Sequence, residues 1–272
     1  MIMKKHLLLI LAAALAVISC GPKTTAPKAL VIYYSQLNST KAVAEAIASE
    51  LNAPIVAIEP VVPYDGTFGE TAQRGQEELR SGKLPELKPI DAKLADYDII
   101  FLGYPIWFGT YAPPVKAFLE SADLAGKKIV PFCTFGSGGL DTSTRDLKEQ
   151  LPDSEILPGY GVRAARIGEV VPEVDYFLKS QGYVEGDFTP LADFSPQAPV
   201  TGEEAVLFHD AVDSYGMIRA EAETAGSREI PGGREYLFTA RNIVPEGQEG
   251  GTIQVYVIAP DGGTPVFTQV LR

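Results

Sequence analysis

Three short segments of the chain gather the residues best suited to hold a ligand. Ser35-Gln36-Leu37-Asn38-Ser39-Thr40 carries three hydroxyls directly ahead of a stretch with helical periodicity. Hydroxyls and the free N–H groups of a helix N-terminus can cradle a phosphate dianion without a cation. Tyr104-Pro105-Ile106-Trp107-Phe108-Gly109-Thr110 sets the only Trp of the chain beside a Phe in a turn bounded by Pro and Gly. Two large aromatics in such a turn suit a planar ring system stacked against them. Thr134-Phe135-Gly136-Ser137-Gly138-Gly139 offers flexible backbone whose N–H groups can bond the carbonyl oxygens of a heterocycle and tune its electronics. Each segment alone has a plainer reading: a capped helix, an aromatic pair in its own core, a glycine turn.

The elements that must position these segments follow from periodicity. Ala29 to Tyr34, Pro54 to Glu59, Asp98 to Tyr104, Lys128 to Thr134 and Ile156 to Ala164 read as five strands. Their continuous apolar runs suit a parallel sheet buried on both faces. Helical patterns lie between and after them. Val43, Ile47 and Leu51 form one apolar stripe, Phe68 to about Gly82 a more polar helix, and Pro113-Pro114 the first turn of a third. Asp141 to Leu151, with Asp141 or Ser143 as cap, and Val171 to Gln181 complete the set. The expectation is an α/β fold with a doubly wound parallel five-stranded sheet over residues 28–183, so that all three segments fall at the carboxyl edge, where ligands of such sheets sit.

Residues 184–200, with Pro190, Pro196 and Pro199, read as a linker. Behind it, Thr201-Gly202-Glu203-Glu204 has capping-box spacing, and Ala205, Phe208, Val212 and Tyr215 share a helical face. Strand alternation then runs through Tyr236, Phe238 and Ala240, through Ile253, Val255 and Val257, and from Val266 onward, with turns at Gly232-Gly233 and Asp261-Gly262-Gly263. Residues 201–272 are therefore expected to form a small α+β domain, one helix on an antiparallel sheet, resembling the cystatin-like class in outline.

Taken in order, the three segments resemble the flavodoxin family, in its larger flavodoxin-like bacterial branch. Tyr33 to Lys41 is similar to that family's phosphate loop, Leu102 to Thr110 to its ring-stacking loop, and Pro131 to Gly139 to its third FMN loop. The resemblance covers residues 28 to 183 and implies FMN as cofactor and electron transfer to a redox partner protein as function. Asn38 stands where the family usually has Gly, and Asn tolerates the left-handed conformation better than other side chains. Leu37 replaces a common hydroxyl residue, and Phe135 a frequent His, so a flavin contact there would be apolar. Two alternatives are an NAD(P)H-dependent quinone or FMN reductase and a non-redox envelope binding module with a degenerate flavin site. No Gly-x-Gly-x-x-Gly unit with a following acidic residue favours the reductase.

The N-terminus divides into Lys4-Lys5, an apolar run from Leu7 to Ile18, and Val17-Ile18-Ser19-Cys20. That order reads as a signal peptide over residues 1–19, its apolar run shorter than the about 20 residues that span a bilayer. The last four residues resemble the lipobox of bacterial lipoproteins, which implies acylation at Cys20, a tether over residues 20–27, and an exported protein anchored to an envelope membrane. Cys133 is then a lone thiol within an apolar run, expected to pack as a small hydrophobe. With a net charge of −12 and no basic run, the chain lacks the footprint that nucleic acid requires. The scarcity of His and Cys speaks against a zinc site. Gly136-Ser137-Gly138 falls short of a hydrolase nucleophile elbow, and His209 lies far along the chain from it.

Overall fold

A computed structural model describes residues 27–245 and 250–271. The expected leader, Cys20 and the tether up to residue 26 lie outside the described residues.

Five positions of parallel strand form the first sheet, in the order β2 (Ile55–Ala57), β1 (Ala29–Tyr33), β3 (Ile99–Trp107), β5 (Lys128–Phe135) and β6 (Glu155–Ile156). The outermost position is shared by β7 (Tyr160–Arg163), which also pairs with β5 in parallel. Both faces are covered, as the continuous apolar runs require. Leu30, Ile32, Ile100 and Leu102 face α3 (Pro113–Ser121) and α4 (Leu140–Gln150), while Val31, Phe101 and Val130 face α1 (Ser39–Leu51) and α5 (Val170–Ser180). Strand order reverses between β1 and β3, which is where the carboxyl edge of an open sheet offers a crevice.

Most strand bounds shift by a residue or two, β2 being cut to Ile55–Ala57, and two differences bear on the site. β3 runs three residues past Tyr104 to Trp107, because Thr110–Tyr111 (β4) folds back and pairs with it. The fifth strand is broken into β6 and β7, with Pro158 between them unable to donate to the ladder. Helix α4 begins at Leu140 and is capped by Gly139 with φ 121°, in place of Asp141 or Ser143. Ser143 is instead fully buried, accepting from the Tyr104 hydroxyl at 3.2 Å and donating to Leu140 O at 3.0 Å.

The second sheet is antiparallel, in the order β12 (Val266–Leu271), β11 (Thr252–Pro260), β10 (Gly233–Asn242), β9 (Ala220–Ile230) and β8 (Ala198–Pro199). Helix α6 (Gly202–Val212) opens on the capping box of Thr201 and Glu204 and lays Phe208, Ala211 and Val212 against Phe238, Val255, Val257 and Phe267. The segment read as a linker does more than connect. Ser195 N donates to Ser227 O at 2.9 Å and β8 pairs with β9, so its end protects an otherwise open sheet edge. His209 ties helix to sheet at the surface, Nδ1 lying 3.2 Å from Asp213 and Nε2 3.1 Å from Glu221. Among the described residues no helix is long and apolar enough to cross a membrane.

Candidate functional site

The first loop leaves β1 and enters α1 through Asn38, which takes φ 65° and caps the helix without a side-chain bond. That left-handed turn leaves the N–H groups of Ser39, Thr40 and Lys41 at the helix start with no intrahelical acceptor. Ser35 Oγ is withdrawn from solvent and has no hydrogen-bond partner, alone in this respect among the described residues. Gln36 faces the other way, its amide donating to Tyr64 O at 3.1 Å and Thr71 Oγ1 at 3.3 Å. Leu37 is exposed. Thr40 was expected to offer its hydroxyl to a ligand, yet it is buried and shares a 2.8 Å hydrogen bond with Thr134 of the third loop. A cavity of about 510 Å³ lies beside this loop, lined by Ser35, Leu37, Ile58, Glu59 and Tyr64 among others.

The second loop is the tip of the β3–β4 hairpin. Phe108 at φ 54° and Gly109 at φ 87° make the turn, between the paired Trp107 and Thr110. Both positive angles suit a two-residue hairpin, but a Phe there is a rare and strained choice. The turn leaves Phe108 52% exposed. Trp107 is half-buried, edge-on to Tyr64 at 5.2 Å and to Tyr34 at 6.0 Å between ring centroids. Gly75 of α2 (Phe68–Ser81) packs against the indole, since a Cβ there would come within 3.2 Å of it. Tyr64 is fixed in turn by Arg74, 3.8 Å above its ring, and by a hydrogen bond from its hydroxyl to Glu78. Burial, with Glu78 second, pushes the Tyr64 phenol well above its ordinary range.

The third loop follows β5. Gly139 closes on the second loop, since a Cβ there would lie 2.8 Å from Ile106. Gly136, Ser137 and Gly138 turn one side toward the antiparallel sheet, where Val270 N donates to Ser137 O at 2.5 Å. Pro105 and Ile106 are half-buried beneath the hairpin.

Of the residues expected at the ligand, Tyr104 and Phe135 have their rings in the core below the loops, so an apolar contact from the Phe135 ring is not on offer at the loop surface. The cause is the strand pleat: side chains alternate, and these two face the α3 and α4 layer. Cys133 is likewise fully buried, and burial pushes its thiol well above the usual range. The sequence reading assigned no role at the site to Tyr34, at the end of β1, to Tyr64, ahead of α2, or to Arg74, Gly75 and Glu78 on that helix, which together brace Trp107. The polar composition of that helix was legible, but its place over the aromatic loop was not.

The fold is an open-sheet α/β layer structure that brings hydroxyls, aromatics and loop amides together at the carboxyl edge of its sheet. The chain belongs to the flavodoxin family, which matches residues 28–171, more than half of its length. A Bacteroides uniformis protein assigned as a flavoprotein is 28% identical, across 56% of this chain and 99% of its own, with a TM-score of 0.50. A comparable protein from Bacteroides eggerthii is 27% identical, across 55% and 98%, with a TM-score of 0.47. A flavoprotein from Lactobacillus acidophilus, solved in complex with FMN, is 24% identical, across 50% and 93%, with a TM-score of 0.45.

Proposed function

We propose that this chain binds one FMN and serves as an electron carrier of the flavodoxin type, held on a bacterial envelope membrane by lipid at Cys20. The observation that carries the cofactor reading is Ser35 Oγ. A buried hydroxyl without a partner costs stability unless a ligand completes it. This one sits in the loop that precedes three free helix N–H groups, an arrangement suited to a phosphate. Asn38 keeps the tight turn that the family builds with Gly, and its φ of 65° supports that replacement.

Bound FMN supplies one- and two-electron chemistry. The residues of the chain would hold and orient it: Ser35 and the start of α1 at the phosphate, Trp107 and Phe108 beside the ring, and the amides of the third loop at the ring carbonyls. Thr40 and Thr134 serve as a brace between loops. The net charge of −12 raises the cost of adding negative charge within the protein, which favours a low-potential carrier passing electrons to a protein partner.

Titration of the purified chain with FMN, followed by flavin and Trp107 fluorescence, is expected to give one site. Ser35→Ala should leave the flavin-free protein as stable or slightly more so, and should weaken FMN by about 1.5–3 kcal/mol, the worth of a hydrogen bond to a charged group. A wild-type chain that does not bind FMN, or a Ser35→Ala chain that binds it equally well, refutes the assignment. Steady oxidation of NAD(P)H with a quinone by the isolated chain would identify a reductase in place of a carrier.

A further inference from the structure

Arg163 ends β7 and is only 8% exposed. Its Nε donates to Gly136 O at 2.9 Å and its Nη1 donates to Phe267 O, also at 2.9 Å. The guanidinium lies 3.4 Å from the centroid of the Phe267 ring and 5.4 Å from that of Tyr215. Burial pulls its proton affinity down, and the polar partners it has among the described residues are these two carbonyls and no carboxylate. A buried Arg bonded to two carbonyls, one beside each sheet, is costly to desolvate, and its planar fork holds both carbonyls in one geometry.

That geometry bears on the third loop. Gly136 O is held by Arg163 and Ser137 O is held by Val270 N of β12. The peptide unit is planar, and no cis bond is present among the described residues, so each N–H points opposite to its carbonyl. With both carbonyls drawn toward Arg163 and β12, the N–H groups of Ser137 and Gly138 are turned the other way. Neither has a hydrogen-bond partner among the described residues. Close packing reinforces the arrangement: a Cβ on Gly138, at φ 157°, would lie 2.4 Å from Val270 O, and one on Gly136 2.6 Å from the Tyr215 hydroxyl.

We infer that Arg163 is a positioning residue, and that the C-terminal domain acts through it and through β12 to present the Ser137 and Gly138 amides to the cofactor. The inference rests on the FMN reading and adds to it a task for the second domain. The appended sheet forms the back wall of the third loop, so anything that shifts that sheet alters how the flavin is held.

The test compares the full wild-type chain with Arg163→Lys and Arg163→Met. Lys keeps the charge but cannot donate to both carbonyls in one fixed geometry. Folding is checked by circular dichroism. Amide hydrogen exchange without flavin should show Val270 protected in the wild type and released in both variants. FMN should then bind both variants about tenfold or more weakly, and the flavin midpoint potential should move in both, as loss of an oriented donor to the ring would cause. If affinity and potential in Arg163→Lys equal the wild type, the role in orientation is overturned and only charge remains. If both variants lose thermal stability while affinity and potential stay put, Arg163 is merely structural. Gly138→Ala, which strains the loop at φ 157° and crowds Val270 O without touching Arg163, should release the Val270 amide as well; a Val270 amide that stays protected there would overturn the packing of β12 on this loop. A wild type that fails to bind FMN, with Val270 exchange still dependent on Arg163, refutes the cofactor reading by itself.

Discussion

Replacing Thr40 by Val nearly preserves the shape of the side chain and removes one hydroxyl from a buried pair separated by 2.8 Å. The Thr134 hydroxyl is then left without a partner in a site closed to water, a loss of about 1–3 kcal/mol. Thr134→Val should cost about the same for the mirror reason. In the double variant two apolar groups meet and neither hydroxyl is stranded, so its cost should fall to about 0–1 kcal/mol. Taking about 2 kcal/mol for each single change, the singles sum to about 4 and exceed the double by about 3, at the upper end of couplings between touching residues. For a protein of this size each single change then lowers the melting temperature by about 4–8 °C, and the double recovers most of that loss. Trp107 is the only Trp and lies in the same site, so its fluorescence follows unfolding of the sheet that carries the loops and not of the second domain. Urea and thermal unfolding of all four proteins without flavin complete the cycle. Additive single effects, within about 0.5 kcal/mol, would refute the claim that the two hydroxyls join the first and third loops.

Gly103 is expected to resist any side chain, since a Cβ there would lie 2.2 Å from the Phe132 ring and 2.9 Å from Tyr33 Cβ, both enclosed in the core. Gly103→Ala should cost about 1–3 kcal/mol by overpacking, and an unchanged urea midpoint would contradict the packing described. At the other end of the chain, mass analysis of bacterial membranes should find the mature N-terminus acylated at Cys20, while Cys20→Ala should yield soluble or uncleaved protein. An unmodified soluble chain beginning elsewhere would remove the anchor from the proposal.

The sheet was legible because its strands are unbroken apolar runs such as Ala29 to Tyr34, which few other structures can bury on both faces. Its fifth strand was legible only as a span, because the break between β6 and β7 turns on how Pro158 and Gly159 meet β5. Gly159 presses on Pro131 O, and nothing in local periodicity announces that contact. The loops could be read from hydroxyls, aromatics and glycines at strand ends, yet the direction of each side chain could not. Tyr104 and Phe135 share loop segments with Trp107 and Gly136, and the pleat sends those two rings into the core. Partners distant in sequence were hidden for the same reason. Gly75 behind Trp107, Thr134 beside Thr40, and Val270 beside Ser137 lie far apart along the chain, the last pair by more than a hundred residues, and only the assembled fold brings them together.

These long-range contacts bear on how tightly a cofactor could be held. Thr40 joins the first loop to the third, Ile106 and Gly139 join the second to the third, and Gln36 ties the first to Tyr64 and Thr71, beside the second. The second loop is further braced by Tyr64 and Gly75, and the third by Arg163 and β12. Binding that must first order three loose loops surrenders about 0.5–1.5 kcal/mol for each side chain it immobilises, besides the loop entropy itself. Loops already fixed against one another avoid most of that loss. On the FMN reading, the bracing would offset the absence of a hydroxyl at Leu37. One missing hydrogen bond to a charged group is worth about 1.5–3 kcal/mol, comparable to the ordering cost that a few fixed side chains remove.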